Sequence, residues 1–120
     1  MTVKSVAHTK GSIVSASTLE YHYNPVTMDG FLVGRITTNG ALSPNTGTNL
    51  LQITDSLRPY FPTGVYASAT GIPVSLYNAN QCRIHRGYYN SGRQLRYEDE
   101  HDVPGAAAFE IYVPVHLVQT

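Results

Sequence analysis

The sequence predicts an all-β fold: an antiparallel β-barrel or jelly-roll-like sandwich of about eight or nine short strands. Three observations carry this. Charged residues make up only 13% of the chain, roughly half the usual share, and the polarity comes from Ser, Thr, Asn and Gly instead. Tyrosine is abundant, at nine against three phenylalanines and no tryptophan, and tyrosine suits a pleated, half-buried surface. The C-terminal segment also alternates strictly. Phe109, Ile111, Val113, Val115 and Leu117 fall on one face, and Glu110, Tyr112, Pro114 and His116 on the other. A helix does not produce that period of two.

The elements follow in order. Met1–Lys10 is polar and weakly patterned, and reads as a flexible lead-in or a join to a longer chain. Residues 11–120 read as a single β domain. Ser12–Ala16 is a weak strand around Ile13. Leu19–Tyr23 alternates cleanly, and Asn24-Pro25 stops it, since proline lacks a ladder donor. Asp29-Gly30 is a hairpin turn signal, and Phe31–Thr38 a central strand. Asn39-Gly40 turns the chain, and Ser43–Thr48 is a loop. Asn49–Thr54 is a strand with Leu51 and Ile53 inward.

Asp55–Gly64, with Arg58-Pro59 and Phe61-Pro62, reads as a rigid irregular connection in which the Arg58 guanidinium caps nearby carbonyls. Val65–Ala69 is a strand, turned by Thr70-Gly71. Ile72–Tyr77 places Ile72, Val74 and Leu76 inward and Pro73, Ser75 and Tyr77 outward. After an Asn78–Gln81 hairpin loop, Cys82–His85 places Cys82 and Ile84 inward and Arg83 and His85 outward. Gly87 reads as a bulge and Asn90–Gly92 as a turn. Arg93–Tyr97 is a short strand, and Glu98–Gly105 an acidic loop. Pro114 within the last strand points to an edge, a bulge or a subunit boundary.

Eight cations balance eight acids. Zero net charge argues against a general nucleic-acid binder or a binder of anionic membranes. No segment has the ~20 apolar residues of a membrane-spanning helix, and no secretion signal is visible. The single Cys82 excludes an internal disulfide and reads as a small buried residue. There is no phosphate loop, nucleophile elbow, CxxC pair or HExxH. No catalytic group, cofactor or metal is therefore assigned.

From Leu57-Arg58-Pro59 onward the order of signals is distinctive: the Val65–Ala69 strand, Ile72-Pro73-Val74-Ser75-Leu76, the Asn78-Ala79-Asn80 hairpin and the returning Cys82-Arg83-Ile84-His85. Over roughly residues 30–90 the chain resembles the head domain of tailed-bacteriophage receptor-binding and tail-fibre proteins of the lactococcal-phage type. The resemblance implies a β head, three copies per tail tip, that attaches to host cell-wall or surface polysaccharide without cleaving it. It also implies a place in the virion and contacts with other tail or baseplate proteins. Pro73 and Ser75 stand where such heads often carry His and Asp, so a site has to be argued from this sequence's own residues.

Tyr77 to Asp102 holds the densest chemistry: Tyr77, Arg83, His85, Arg86, Tyr88, Tyr89, Arg93, Arg96, Tyr97, Asp99, Glu100, His101 and Asp102. Aromatic faces pack on the C–H face of a pyranose, while carboxylates and guanidinium forks bond to its hydroxyls. A second reading stands beside this one, in which the four arginines pair across strands with Glu98–Asp102 on a solvated face. Carboxylates and His101 in the loop are also compatible with a hard cation, and Glu98 with Glu100 with a glycosidase pair. His22 and His116 read as outward polar residues, with Tyr112/His116 a row for inter-subunit contact. The competing functions are a structural virion β-sandwich protein and a small polysaccharide depolymerase. A eukaryotic trimeric β-sandwich ligand is a lesser option.

Overall fold

A half-apolar sheet must be covered by helices, by a second sheet or by its own curl, and this chain's single sheet curls on itself. The computed structural model describes residues 1–61 and 71–119. Among them are ten strands and no helix: β1 (Thr2–Ser5), β2 (His8–Lys10), β3 (Val14–Tyr23), β4 (Asp29–Thr38), β5 (Thr48–Ile53), β6 (Leu57–Pro59), β7 (Ile72–Asn78), β8 (Arg83–Tyr89), β9 (Gln94–Tyr97) and β10 (Ala108–Gln119). All pairings are antiparallel, in the order β1-β3-β4-β10-β7-β8-β9-β5-β2, with β6 added to the far end of β10. The Val65–Ala69 strand and the Thr70 turn position lie outside the described residues.

The two ends of this order are consecutive in sequence. β1 pairs with β3, β2 pairs with β5, and only Val6 and Ala7 separate them. The first ten residues, expected as a lead-in, therefore act as a clasp that joins the two borders of the sheet. Val6 is buried and donates its amide to Leu19 O at 3.0 Å. Ala7 O accepts from the Thr54 amide at 2.9 Å, and its own amide donates to Asp55 Oδ2 at 3.1 Å. Lys4 pairs with the same buried carboxylate. Burial pushes Asp55 up, but the Lys4 ammonium and the Ala7 and Leu57 amides outweigh it and hold the group below its ordinary range. Closing the sheet leaves few strand edges open to pairing with other chains.

The core fills the inside of the curl. Leu19, Tyr21, Leu32, Ile36, Leu51, Leu76, Leu95, Phe109 and Ile111 are all at most 3% exposed. β10 keeps its predicted phase along its whole length, and β7 keeps the phase Ile72–Tyr77 led one to expect. Val14–Ala16 and Leu19–Tyr23 belong to one strand, β3, bulged between Val14 and Ala16, while Ser12 and Ile13, expected in a strand, form the turn before it.

Several expectations are corrected. The β3–β4 turn lies at Asn24–Met28, where Asn24 Oδ1 accepts from the Val26 amide at 2.8 Å; Asp29 and Gly30 already belong to β4. Leu57–Pro59 is a strand on β10, and Pro114 lies inside β10, where β7 pairing has ended at Tyr112 and β6 pairing has not yet begun at Leu117. Gly87 is regularly paired, and an added Cβ would lie 2.6 Å from Arg96 O. Cys82 is exposed, in a left-handed conformation at φ 51°. That turn shifts β8 by one residue against the expected phase, so Ile84 faces out and His85 faces in.

Candidate functional site

The segment from Tyr77 to Asp102 does not form one site. Strand alternation sends it to four places. His85, Tyr97 and Asp99 turn into the core, where His85 Nδ1 lies 2.8 Å from Asp99 Oδ2 and 3.2 Å from the Tyr97 hydroxyl. His85 Nε2 meets Gln81 Oε1 at 3.2 Å, and the Tyr97 hydroxyl donates to the His101 carbonyl. The His85 ring meets Phe109 edge-on, with centroids 5.8 Å apart. Burial, helped by the Asp99 and Asp102 charges, pushes the Tyr97 hydroxyl up to about 12. This polar network is internal and specifies packing.

Arg86 stacks over Tyr88 at 5.6 Å and donates to the Glu98 carbonyl at 3.0 Å. Arg96 donates to Gly47 O at 2.7 Å and to Gln94 Oε1 at 3.2 Å. Among the described residues, none of Arg83, Arg86, Arg93 and Arg96 forms the expected ion pair with Glu98–Asp102. Arg83 is exposed at the start of β8, and Glu100 and His101 are exposed neighbours 3.8 Å apart. Asp102 is also exposed. Tyr89 and Arg93 line a cleft with Arg58, and among the described residues the expected capping of carbonyls by Arg58 is not seen. Among the described residues, no three His, Cys, Asp or Glu side chains gather as a metal cluster. No helix among them is long and apolar enough to cross a membrane.

Of the thirteen ligand residues selected from the segment, Tyr77 alone lines a groove of about 650 Å³ on the outer face of the sheet. Register builds it from two neighbouring rows. One runs Thr18, Arg35, Glu110, Tyr77, Ile84 across β3, β4, β10, β7 and β8. The other runs Glu20, Val33, Tyr112, Ser75 across the first four of these strands. Tyr112 is 51% exposed and Ile84 66%. Arg35 Nη2 donates to Glu110 Oε1 at 3.2 Å, with both groups largely in solvent. Phe31 extends the aromatic surface, 5.6 Å from Tyr112 and stacked on His22 at 5.3 Å. The Tyr77 hydroxyl is raised chiefly by its contact with the Cys82 thiol, then by burial and last by the Glu110 charge.

Gly34, which lines the groove, packs tightly against β3. A Cβ there would lie 2.0 Å from Thr18 O, so only glycine lets β4 approach β3 in this way. Exposed rings, two carboxylates, a guanidinium and two hydroxyls thus share one concave surface. Its volume lies within the roughly 300–1,000 Å³ of small-ligand sites. Of its lining, sequence reasoning selected Tyr77 as a ligand residue and placed Tyr112 in a contact row. The remaining signal was available in outward strand positions holding large apolar or aromatic residues.

The class these features define is an all-β, curled antiparallel sheet with an aromatic and ion-paired groove on its outer face. Comparison of the chain with protein-family models, with curated proteins and with solved structures finds no match.

Proposed function

We propose that the chain is a non-enzymatic saccharide-binding head domain of a tailed-bacteriophage receptor-binding protein, and that its ligand lies in the outer groove. The observation that carries this reading is the pairing of the exposed Tyr77 and Tyr112 rings with the Arg35–Glu110 pair, beside Glu20, Thr18 and Ser75. The rings offer flat faces to the C–H side of a sugar. The ions and hydroxyls offer directed donors and acceptors to its hydroxyls. No group in the groove needs to transfer a proton or form a bond for this to work. Single-site binding of this kind is weak, and three copies on a tail tip multiply it through effective concentration.

Labelled full chain is incubated with envelopes of candidate bacterial hosts, with and without soluble envelope polysaccharide. Retention that the polysaccharide abolishes supports the reading. No retention on any envelope, together with a scattering mass of 13.1 kDa rather than three times that, defeats it. The exposed apolar Ile84 and half-buried Val33 favour one second reading, a structural tail protein whose groove seats another protein. In that case Tyr112→Ala leaves cell binding untouched and breaks particle assembly.

A further inference from the structure

We propose that the cleft between β6 and the β8–β9 turn is an oxyanion-binding site, in which Arg58 and Arg93 hold a phosphate, sulfate or carboxylate group. This goes beyond the saccharide reading and does not rest on it. The cleft, about 320 Å³, is walled by Pro59, Tyr60, Phe61 and Tyr89, with Asn90 and Ser91 at its rim. It contains two half-buried guanidiniums and no carboxylate.

Arg83 projects into solvent at the start of β8, and the remaining cations have partners. Lys4 pairs with Asp55, Arg35 with Glu110, and Lys10, Arg86 and Arg96 donate to backbone carbonyls. Among the described residues, Arg58 and Arg93 are the half-buried cations of one cleft, and neither has a side-chain partner there. The Tyr89 side chain is 2% exposed. It lines the cleft together with both arginines; burial pushes its hydroxyl up to about 12, and both arginine charges pull against that rise. Two like charges lining one cleft with no carboxylate between them repel each other. An oxyanion reverses that sign and fits the planar donor forks of both arginines.

The turn is built to hold Arg93 in place. Asn90 Oδ1 accepts from the Gln94 amide at 3.1 Å, the Arg93 amide donates to Asn90 O at 3.0 Å, and Arg93 O accepts from the Ile53 amide at 2.8 Å. Arg93 sits at φ 63°, where glycine is at ease and arginine is not. The cleft is remote from the groove. Val118 of its lining lies six residues beyond Tyr112 on β10, or about 20 Å at the strand rise.

The test is a nuclear magnetic resonance titration of the full chain with inorganic phosphate, inorganic sulfate and acetate, each against chloride at matched ionic strength. The Arg58 and Arg93 Nε–H signals are expected to shift and saturate, while exposed Arg83 does not. Saturation by phosphate and sulfate alone assigns a tetrahedral oxyanion, and saturation by acetate as well assigns carboxylates too. Arg93→Gly and Arg58→Gln should each weaken binding about tenfold or more. Arg93→Gly relieves the left-handed strain, so it should fold at least as stably, and its loss of binding cannot be unfolding. Linear, unsaturated shifts, equal shifts at Arg83, or unchanged affinity in Arg93→Gly would overturn the proposal. The Tyr112 signals should stay still, so failure here leaves the groove reading standing.

Discussion

Removing Asp99 should destabilise the fold through His85 rather than through any surface charge. His85 is wholly buried and Asp99 is 7% exposed, and they meet at 2.8 Å. Asp99→Ala leaves the Nδ1 side of a core imidazole with only the Tyr97 hydroxyl, 3.2 Å away and already donating to the His101 carbonyl. Breaking one half of a buried pair costs about 2–3 kcal/mol. That is a large part of the roughly 5–15 kcal/mol that holds a domain of this size together. His85→Phe keeps the ring contacts with Tyr97 and Phe109 and removes the polar group. In the His85→Phe background, Asp99→Ala then has nothing buried left to strand, and its cost should fall by about 1.5–2 kcal/mol. Urea denaturation of the four proteins, with unchanged slopes, reads this coupling. Additivity within about 0.5 kcal/mol would refute the argument.

Two further outcomes concern pH. Asp55 is held below its ordinary range in the folded chain, so its contribution is fully present above the unfolded value of about 3.9 and is lost as pH falls through the lowered folded value. The stability gap between wild type and Lys4→Met should therefore be constant above about pH 5 and close below about pH 4; a constant gap at all pH values would contradict the clasp. Tyr21, Tyr89 and Tyr97 are raised by burial, the latter two to about 12. Their neutral forms stabilise the fold fully below about pH 10, and that stability is lost as pH rises through the folded values. Phenolate absorbance from these three should appear together with loss of the circular dichroism signal, not before it.

The sheet was legible in the sequence wherever one face was continuously apolar. β10 and β7 announced their phase because both have inward aliphatic or aromatic residues at every second position. β8 did not. Its inward positions are His85, Gly87 and Tyr89 and its outward positions include Ile84, so hydropathy assigned the wrong face. What reset the phase was a left-handed Cys82, and cysteine carries no turn signal. The clasp was equally hidden, since β1 and β2 are held by backbone pairing and one buried Val6 rather than by an apolar stripe. The groove escaped notice for a related reason. Tyr77, Glu110 and Arg35 are distant in sequence, and only the β4-β10-β7 register makes them neighbours. Density of chemistry along the chain pointed instead to residues 77–102, which alternation then divided between core and surface.

The groove is the central claim, and chemical-shift mapping of the labelled chain with purified envelope polysaccharide tests it most directly. Saturable shifts clustered on Ser75, Tyr77, Glu110 and Tyr112, and abolished in a folded Tyr77→Ala/Tyr112→Ala variant, are the predicted result. Shifts confined to the Glu98–Asp102 loop, or none at all with a polysaccharide to which the chain demonstrably adheres, would contradict it.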